Sequence, residues 1–427
     1  MHPGNMNRFP DTQSVWWAEF ADRAQRLGHD LDALQSGAEI CTYITVPNLE
    51  EAAYKLTYAS PEQREARKAT FFHESVLARR RLGQGMHDRG EAAVMTGDVM
   101  PDSDAHGLSN HLPLHAKVVS VWHKVIPAGQ VWDLSVRGDV WGLDDLEELY
   151  LTLNVGMLVF EPGASLIVQG NVFSMLCQQM VCRPLATEGA AFHIGILPTP
   201  FSVDGGDGPM DGADGRAGDA GASGQDGKTL MLAQSLLGPV LQQAVEPGDL
   251  NGTDGQNGER GADGKRGRNG GMCKLTELAI RNIDGHLVVM AKGGQGGHGG
   301  QGGHGGSGGH GGNGTAGAVT LTATIPDGLG GSGGRGGDGG NGGNGGNGGL
   351  SSNIYINVKP EEEARITRIS LPALPGSGGQ GGQGGWPGNA GTGRSGPGQA
   401  GFSGAPGKNG RPGRERPAPV IFLNEKL

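Results

Sequence analysis

His298, His304 and His310 recur every six residues within GGQGGHGGQGGHGGSGGHGGNG (293–314). In a helix of three residues per turn this spacing puts the three imidazoles on one edge, successive rings about 19 Å apart at a rise of roughly 3.1 Å per residue. That separation excludes one metal ion held by all three. Gln295, Gln301, Ser307 and Asn313 fill the intervening positions. The edge is therefore a polar ladder, suited either to sugar hydroxyls and water or simply to solubility. Trp386, in GGWPGNAGTG, is the one tryptophan of the glycine-rich half. It either stacks on a sugar ring or partner, or plugs the end of the glycine structure. His298, His304, His310 and Trp386 are thus the candidate ligand contacts. His106, His111 and His115 form a looser group with no recognised metal spacing.

Other chemistry finds little support. The chain has no G-x-S-x-G, no H-E-x-x-H and no phosphate-binding glycine loop in a strand-to-helix setting. The acidic runs DDLEE (144–148) and EEE (361–363) read as solvated faces. Four cysteines include no C-x-x-C pair, which argues against a zinc ribbon or thioredoxin motif. Cys177 and Cys182 are either a disulfide or free buried thiols. No catalytic residue, cofactor or metal is expected. A formal net charge of −10 argues against a general nucleic-acid binder that relies on phosphate neutralisation. The start of the chain lacks signal-peptide character, and no apolar run reaches the ~18 residues of a membrane span. The expectation is a protein made in the cytoplasm, then used outside the cell or on a virion or other assembly.

The elements that position these residues fall into three zones. Residues 1–115 read as a mainly helical docking zone. Ser14 caps a helix carrying Trp17, Phe20, Ala24, Leu27, Leu31 and Leu34 on one face. A second helix opens at Ser60-Pro61 with Gln63 at the capping-box position and runs to Leu82. ICTYITV (40–46) is a strand between them. Residues 116–203 read as stacked β-strands, a β-solenoid or an ordinary sandwich. LSVRGDV (134–140), LTLNVGM (151–157) and LIVQGNV (166–172) suggest one coil about every sixteen residues. Trp122, Trp132 and Trp141 belong to that core or to its seam with the helices. From 204 to 427 glycine tracts alternate with the strand-like LAIRNI, HLVVMA, AVTLTATI, NIYINV and ITRISL.

Glycine supplies 84 of 427 residues, in two grades. It holds every third position in 211–227 and 251–271, and two of three in 293–314, 330–349 and 376–385. The last tract loses register around 391–398 and resumes to Gly413. Fixing glycine costs roughly 0.5–1 kcal/mol per residue relative to alanine, and a flexible linker avoids that cost. A linker has no need of a strict register, whereas packed three-residue helices require glycine on each edge that meets a neighbour. GGX then suits a helix with neighbours on two sides and GXX one with a single packed edge. A collagen triple helix fits less well, because the tracts are nearly proline-free until residue 387 and strands interrupt them.

Strands feeding GGxGGx excursions resemble the polyglycine-II bundles of glycine-rich phage tail-fibre adhesins. They also resemble the glycine-rich N-terminal domain of Obg-type GTPases, without the G-x-x-x-x-G-K-[ST] of their GTPase part. The resemblance covers roughly 204–415 and implies a rigid bundle whose connecting loops at one end read a ligand. The expected fold is α+β: a helical zone, a β-solenoid or sandwich-like stem, and a polyglycine-II bundle with intervening strands. The expected function is a non-enzymatic adhesin-like or host-targeting protein with a cell-surface carbohydrate or protein receptor, carried on a particle or released on lysis, including as a toxin. A scaffold subunit docking through residues 1–115 is the alternative, and ice binding a weaker one.

Overall fold

A computed structural model describes residues 15–59, 91–97, 108–109, 111–143, 148–185, 191–200, 202–203, 206–207, 211–246, 248–424 and 426. The expected helix from Ser60 to Leu82 lies outside them, as do Ser14, His106 and residues 144–147 of the DDLEE run. The fold is mixed α/β, mostly sheet with few helices.

The described helices are α1 (Val15–Arg26), α2 (Leu31–Gln35), α3 (Leu49–Leu56) and α4 (Glu91–Thr96). The sequence predicts one helix through Leu34, but the structure has two. Gly28 takes a left-handed φ of +82°, a helix-ending conformation that glycine adopts without strain. Asp30 then caps α2 by accepting from the Asp32 N–H at 3.0 Å.

The larger sheet runs β1 (Glu39–Val46), β2 (Leu114–Ile126), β4 (Leu149–Phe160), β6 (Val172–Cys182), β12 (Thr276–Ile280), β17 (Ile354–Asn357) and β19 (Ile421–Leu423). β13 (Ile283–Gly285) continues beside β6. The smaller sheet runs β18 (Ile366–Leu371), β14 (Leu287–Lys292), β7 (Ile194–Leu197), β5 (Ser165–Gln169) and β3 (Val131–Asp133). All these pairings are parallel except that of β1 with β2. Three two-stranded hairpins stand apart: β8 (Ser202–Val203) with β9 (Gly206–Asp207), β10 (Leu232–Ser235) with β11 (Gly238–Leu241), and β15 (Ala318–Val319) with β16 (Thr324–Ile325). AVTLTATI is thus a hairpin rather than one strand.

From β2 onward the chain visits the two sheets alternately, each visit adding a parallel neighbour. Here the sixteen-residue interval is corrected. LTLNVGM lies in the large sheet, while LIVQGNV begins in β5 of the small one, so sixteen residues are half a circuit. Leu166 pairs with Trp132 rather than Leu134. A full circuit takes His115 to Leu149, then Tyr150 to Val172. Apolar residues fill the strands of both sheets alike, so the pattern alone does not count circuits. Strands from all three sequence zones share the large sheet, and the glycine tracts are excursions between successive circuits.

One core lies between the sheets, with Leu151, Leu153, Phe173 and Met175 facing Leu166, Ile194, Val289 and Ala291. A second covers the outer face of the large sheet, where Leu56, Val94 and Met95 pack on Val118, Tyr150 and Tyr355. Burial on both faces explains why these parallel strands read as nearly continuous apolar runs. α1 and α2 close a third cluster around Trp122, which is 1 % exposed. Trp122 thus forms the seam with the helices, and Trp132 packs partly buried against the inter-sheet core.

Polar groups tie α1 to the sheet. Arg23 is fully buried and donates to Ser174 Oγ at 2.9 Å; burial, with Arg26 nearby, pushes its pKa down to about 9. Asn154 Nδ2 donates to Phe20 O. His29 is buried after α1 beside Thr42 Oγ1 at 2.9 Å, and burial pushes its pKa down to about 4. The unfolded chain, with histidine near 6.5, binds more protons than the folded chain between those values. Stability contributed by neutral His29 is therefore present above pH 6.5 and lost as pH falls toward 4. Urea unfolding across that window should show this fall, and His29→Leu should flatten part of it; an unchanged slope contradicts the assignment.

Candidate functional site

The glycine-rich half forms six tracts: 211–227, 251–271, 293–314, 328–349, 376–393 and 396–414, here tracts 1 to 6. The last tract of the sequence is in fact two, because the chain turns at Arg394–Ser395 and Gly396 takes φ +142°. Tracts 1, 3 and 5 lie parallel in one row: Gly212 to Gly227 donate to carbonyls from His298 to Asn313, and Gly299 to Gly314 to carbonyls from Ser377 to Thr392. Tracts 2, 4 and 6 form a second parallel row, with Gly255 donating to Ser332 O and Gly333 to Gln399 O. Antiparallel bonds join the rows, such as Gly303 to Ala262 O, Gly340 to Gly303 O, Gly382 to Gly340 O and Gly407 to Gly382 O. The bonds recur at every third residue with N···O distances of 2.7–3.0 Å.

Tracts 3 and 4 each bond to four neighbours, tract 1 to tracts 2 and 3, and tract 6 to tracts 4 and 5. That accounts for GGX in the middle and GXX at the margins. A Cβ on Gly303 would lie 2.0 Å from Arg216 O, and one on Gly340 1.9 Å from Ala262 O. Backbone, not side chain, stands in the way. Each bond contributes about 1 kcal/mol net, comparable with the conformational cost of the glycine that makes it.

The third residue of each inner triplet points outward, and its chemistry is more than solubility. Asp211 Oδ1 accepts the His298 N–H at 2.6 Å. His298, His304 and His310 accept at Nδ1 from the N–H of Ser377, Gln383 and Asn389, at 3.0, 2.9 and 2.9 Å. Asn313 Oδ1 accepts from Thr392. His298, His304, His310 and Asn313 of the ladder therefore satisfy backbone N–H groups that the carbonyl lattice leaves over. An accepting ring nitrogen carries no proton, so each neutral ring in this geometry holds its proton on Nε2. Among the described residues, no group of three or more His, Cys, Asp or Glu is placed to hold a metal ion.

Trp386 is 81 % exposed on tract 5 and does not plug the bundle. The register holds across it, with Gly385 and Gly388 donating to Gly337 O and Gly334 O. The constant offsets place it level with Ser307 of tract 3 and Ala220 of tract 1, between the levels of His304 and His310. The tracts of this row carry Asp211, Asp214 and Asp226, and the exposed Arg216 of tract 1 is paired with Asp219. All four cysteines are free, and burial pushes the Cys182 and Cys273 thiols up to about 12, unsuited to nucleophilic work.

A surface that sequence reasoning missed lies at the far end of the bundle. Because odd tracts run out and even tracts return, residues 228–246, 248–250, 315–327 and 394–395 gather at one tip. β10 and β11 are joined by a two-residue loop, Leu236-Leu237, whose residues are 108 % and 83 % exposed. Met231, Val319 and Leu321 are exposed there too, and the Leu321 N–H donates to Pro239 O, tying the two hairpins together. Such loops ordinarily carry Asn, Asp or Gly. Two leucines at a hairpin apex were the available signal.

No protein-family model, curated protein or solved structure matches this chain. No helix among the described residues is long and apolar enough to cross a membrane.

Proposed function

We propose that the six tracts are polyglycine-II helices, that the alternating sheets are a β-solenoid stem, and that the whole is a non-enzymatic adhesin-like, host-targeting protein. The bundle is a rigid shaft, and its hairpin tip reads a cell-surface protein receptor. The exposure of Leu236 and Leu237 at the end of a cross-bonded lattice carries this reading. An exposed large apolar cluster on a soluble surface marks an interaction site. Burying one leucine contributes about 1.5–3 kcal/mol, and a rigid support keeps the ordering cost of binding low. Trp386 and the outward Nε2–H groups of His298, His304 and His310 offer a secondary, carbohydrate-compatible face along the shaft. The resemblance to tail-fibre adhesins points the same way, and use outside the cell or on a particle, including as a toxin, follows from it.

The test is binding of labelled full-length protein to a panel of intact cells. Leu236→Asp with Leu237→Asp should weaken binding at least about 100-fold, from two lost leucine burials, with the melting temperature unchanged. Undiminished binding by the double variant rules out the tip. Cell-independent capture of an assembly subunit through residues 1–115 would instead favour a scaffold.

A further inference from the structure

The second face of the bundle, formed by tracts 2, 4 and 6, has a charge pattern opposite to the first. The register aligns Asp263 with Asn341 and Lys408, Arg266 with Asn344 and Arg411, and Asn269 with Asn347 and Arg414. These alignments follow from the Asp263 and Asn269 acceptors of tract-4 N–H groups and the Asn341, Asn344 and Asn347 acceptors of tract-6 N–H groups. The three levels lie at the stem end, the opposite end from Leu236 and Leu237. Further out, Arg260 and Arg335 are matched by ion pairs to Asp263 and Asp338. Lys408, Arg411 and Arg414 are exposed, and among the described residues no carboxylate pairs with them. A protein of net charge −10 thus concentrates unneutralised cations in one strip.

The strip is also chemically one-sided. Each of Asn341, Asn344 and Asn347 uses Oδ1 to accept the backbone N–H of the facing tract-6 cation, at 2.8–2.9 Å. Among the described residues no acceptor takes the Nδ2–H groups of Asn344 and Asn347, while the Asn341 side chain also meets the Asp263 carboxylate. What faces solvent is a row of amide donors beside a file of cations, repeating about every 9 Å, three residues at the rise of a three-residue helix. The backbone beneath is already fixed by lattice bonds, so ordering it costs nothing on binding.

We propose that this strip binds a linear acidic polysaccharide, one carrying sulfate or carboxylate groups along its length. A small anion is a poor match, because cations 9 Å apart converge on no single point. A polysaccharide chain supplies what the strip requests: anionic groups at regular intervals and acceptor oxygens between them. Single-stranded nucleic acid is the weaker match. It draws on aromatic platforms for its bases, and the aromatic residue of this face, Phe402, lies two levels beyond Lys408. The site is separate from the tip and does not rest on the receptor reading.

Heparin is the probe, with neutral dextran and single-stranded DNA as comparators, tested on the full-length protein at several salt concentrations. Wild type should bind heparin with an affinity that falls steeply with salt, ignore dextran, and bind DNA at least tenfold more weakly. Lys408→Gln, Arg411→Gln and Arg414→Gln together should lower heparin affinity at least tenfold. Lys408→Arg with Arg411→Lys and Arg414→Lys should restore most of it, which separates lost charge from lost fold. Leu236→Asp with Leu237→Asp should leave heparin binding intact whether or not the tip binds a receptor. Absence of heparin binding, a glutamine variant that binds like wild type, or equal affinity for DNA would each overturn the proposal.

Discussion

Gly340→Val should destabilise the protein by at least about 3 kcal/mol, from overpacking against fixed backbone and the hydrogen bonds it displaces. Gly340 lies in the middle of tract 4. A Cβ there meets Ala262 O at 1.9 Å, and no rotamer change relieves a clash with a carbonyl that is itself held in place. The Gly340 N–H donates to Gly303 O and its carbonyl accepts from Gly382, each at 2.8 Å. Shifting the chain to make room therefore loosens tracts 3 and 5 together. Ser307→Ala, at an exposed outward position of tract 3, is the control and should stay within about 0.5 kcal/mol. Denaturant unfolding distinguishes them; equal stability of the two variants means that the inner edge is not packed.

Trp122→Ala should cost about 3–5 kcal/mol, the range for an aromatic truncated in a core. The indole contacts Trp17 edge-on and Phe20 tilted, both at 4.9 Å between ring centroids. It lies across the backbone of β4, where a Cβ on Gly156 would come within 2.0 Å of Trp122 Cε3. Loss of the ring removes the surface on which α1 and α2 sit, so proteolysis in the Leu27–Asp30 linker should accelerate alongside the fall in midpoint. Gly156→Ala alone should also destabilise, and part of that cost should vanish in the Trp122→Ala background, the remainder coming from the Trp122 carbonyl oxygen that the Cβ meets at 2.5 Å. Additive effects in this cycle would show that the two positions do not share the contact.

The architecture was legible where one physical constraint wrote one pattern. Backbone contact demands glycine, so the grade of each tract announced how crowded that tract is. Tract 2 blurs the rule, since its Lys265 and Ala262 N–H groups bond to tract 1 while their side chains escape sideways. β1 and the inter-tract strands other than AVTLTATI were readable because short apolar runs between turn residues have few alternatives. The circuit length was not, because strands of both sheets are similarly apolar and only pairing register tells them apart. The break at Gly28 was hidden by apolar residues that continue the spacing on either side.

The candidate sites were legible in the same uneven way. The spacing of His298, His304 and His310 placed them on one edge, yet their grip on the tract-5 backbone depends on a 79-residue offset that no local window contains. Arg266 and Arg411 likewise share a level, on either side of Asn344, by register alone. Leu236 and Leu237 were visible as residues but not as a surface until the out-and-back path of the tracts brought the hairpins to one end.

Amide hydrogen exchange, resolved residue by residue in tracts 3 to 5, tests the central claim most directly. In tract 5, Gly379, Gly382 and Gly385 donate to tract 4, whereas no lattice carbonyl takes the N–H of Gly378 or Gly384. The lattice predicts slow exchange at the first set and fast exchange at the second, with Gly337, Gly340 and Gly343 of tract 4 slow as well. Free-peptide rates throughout would contradict it, leaving the tracts as linkers and the tip without a shaft.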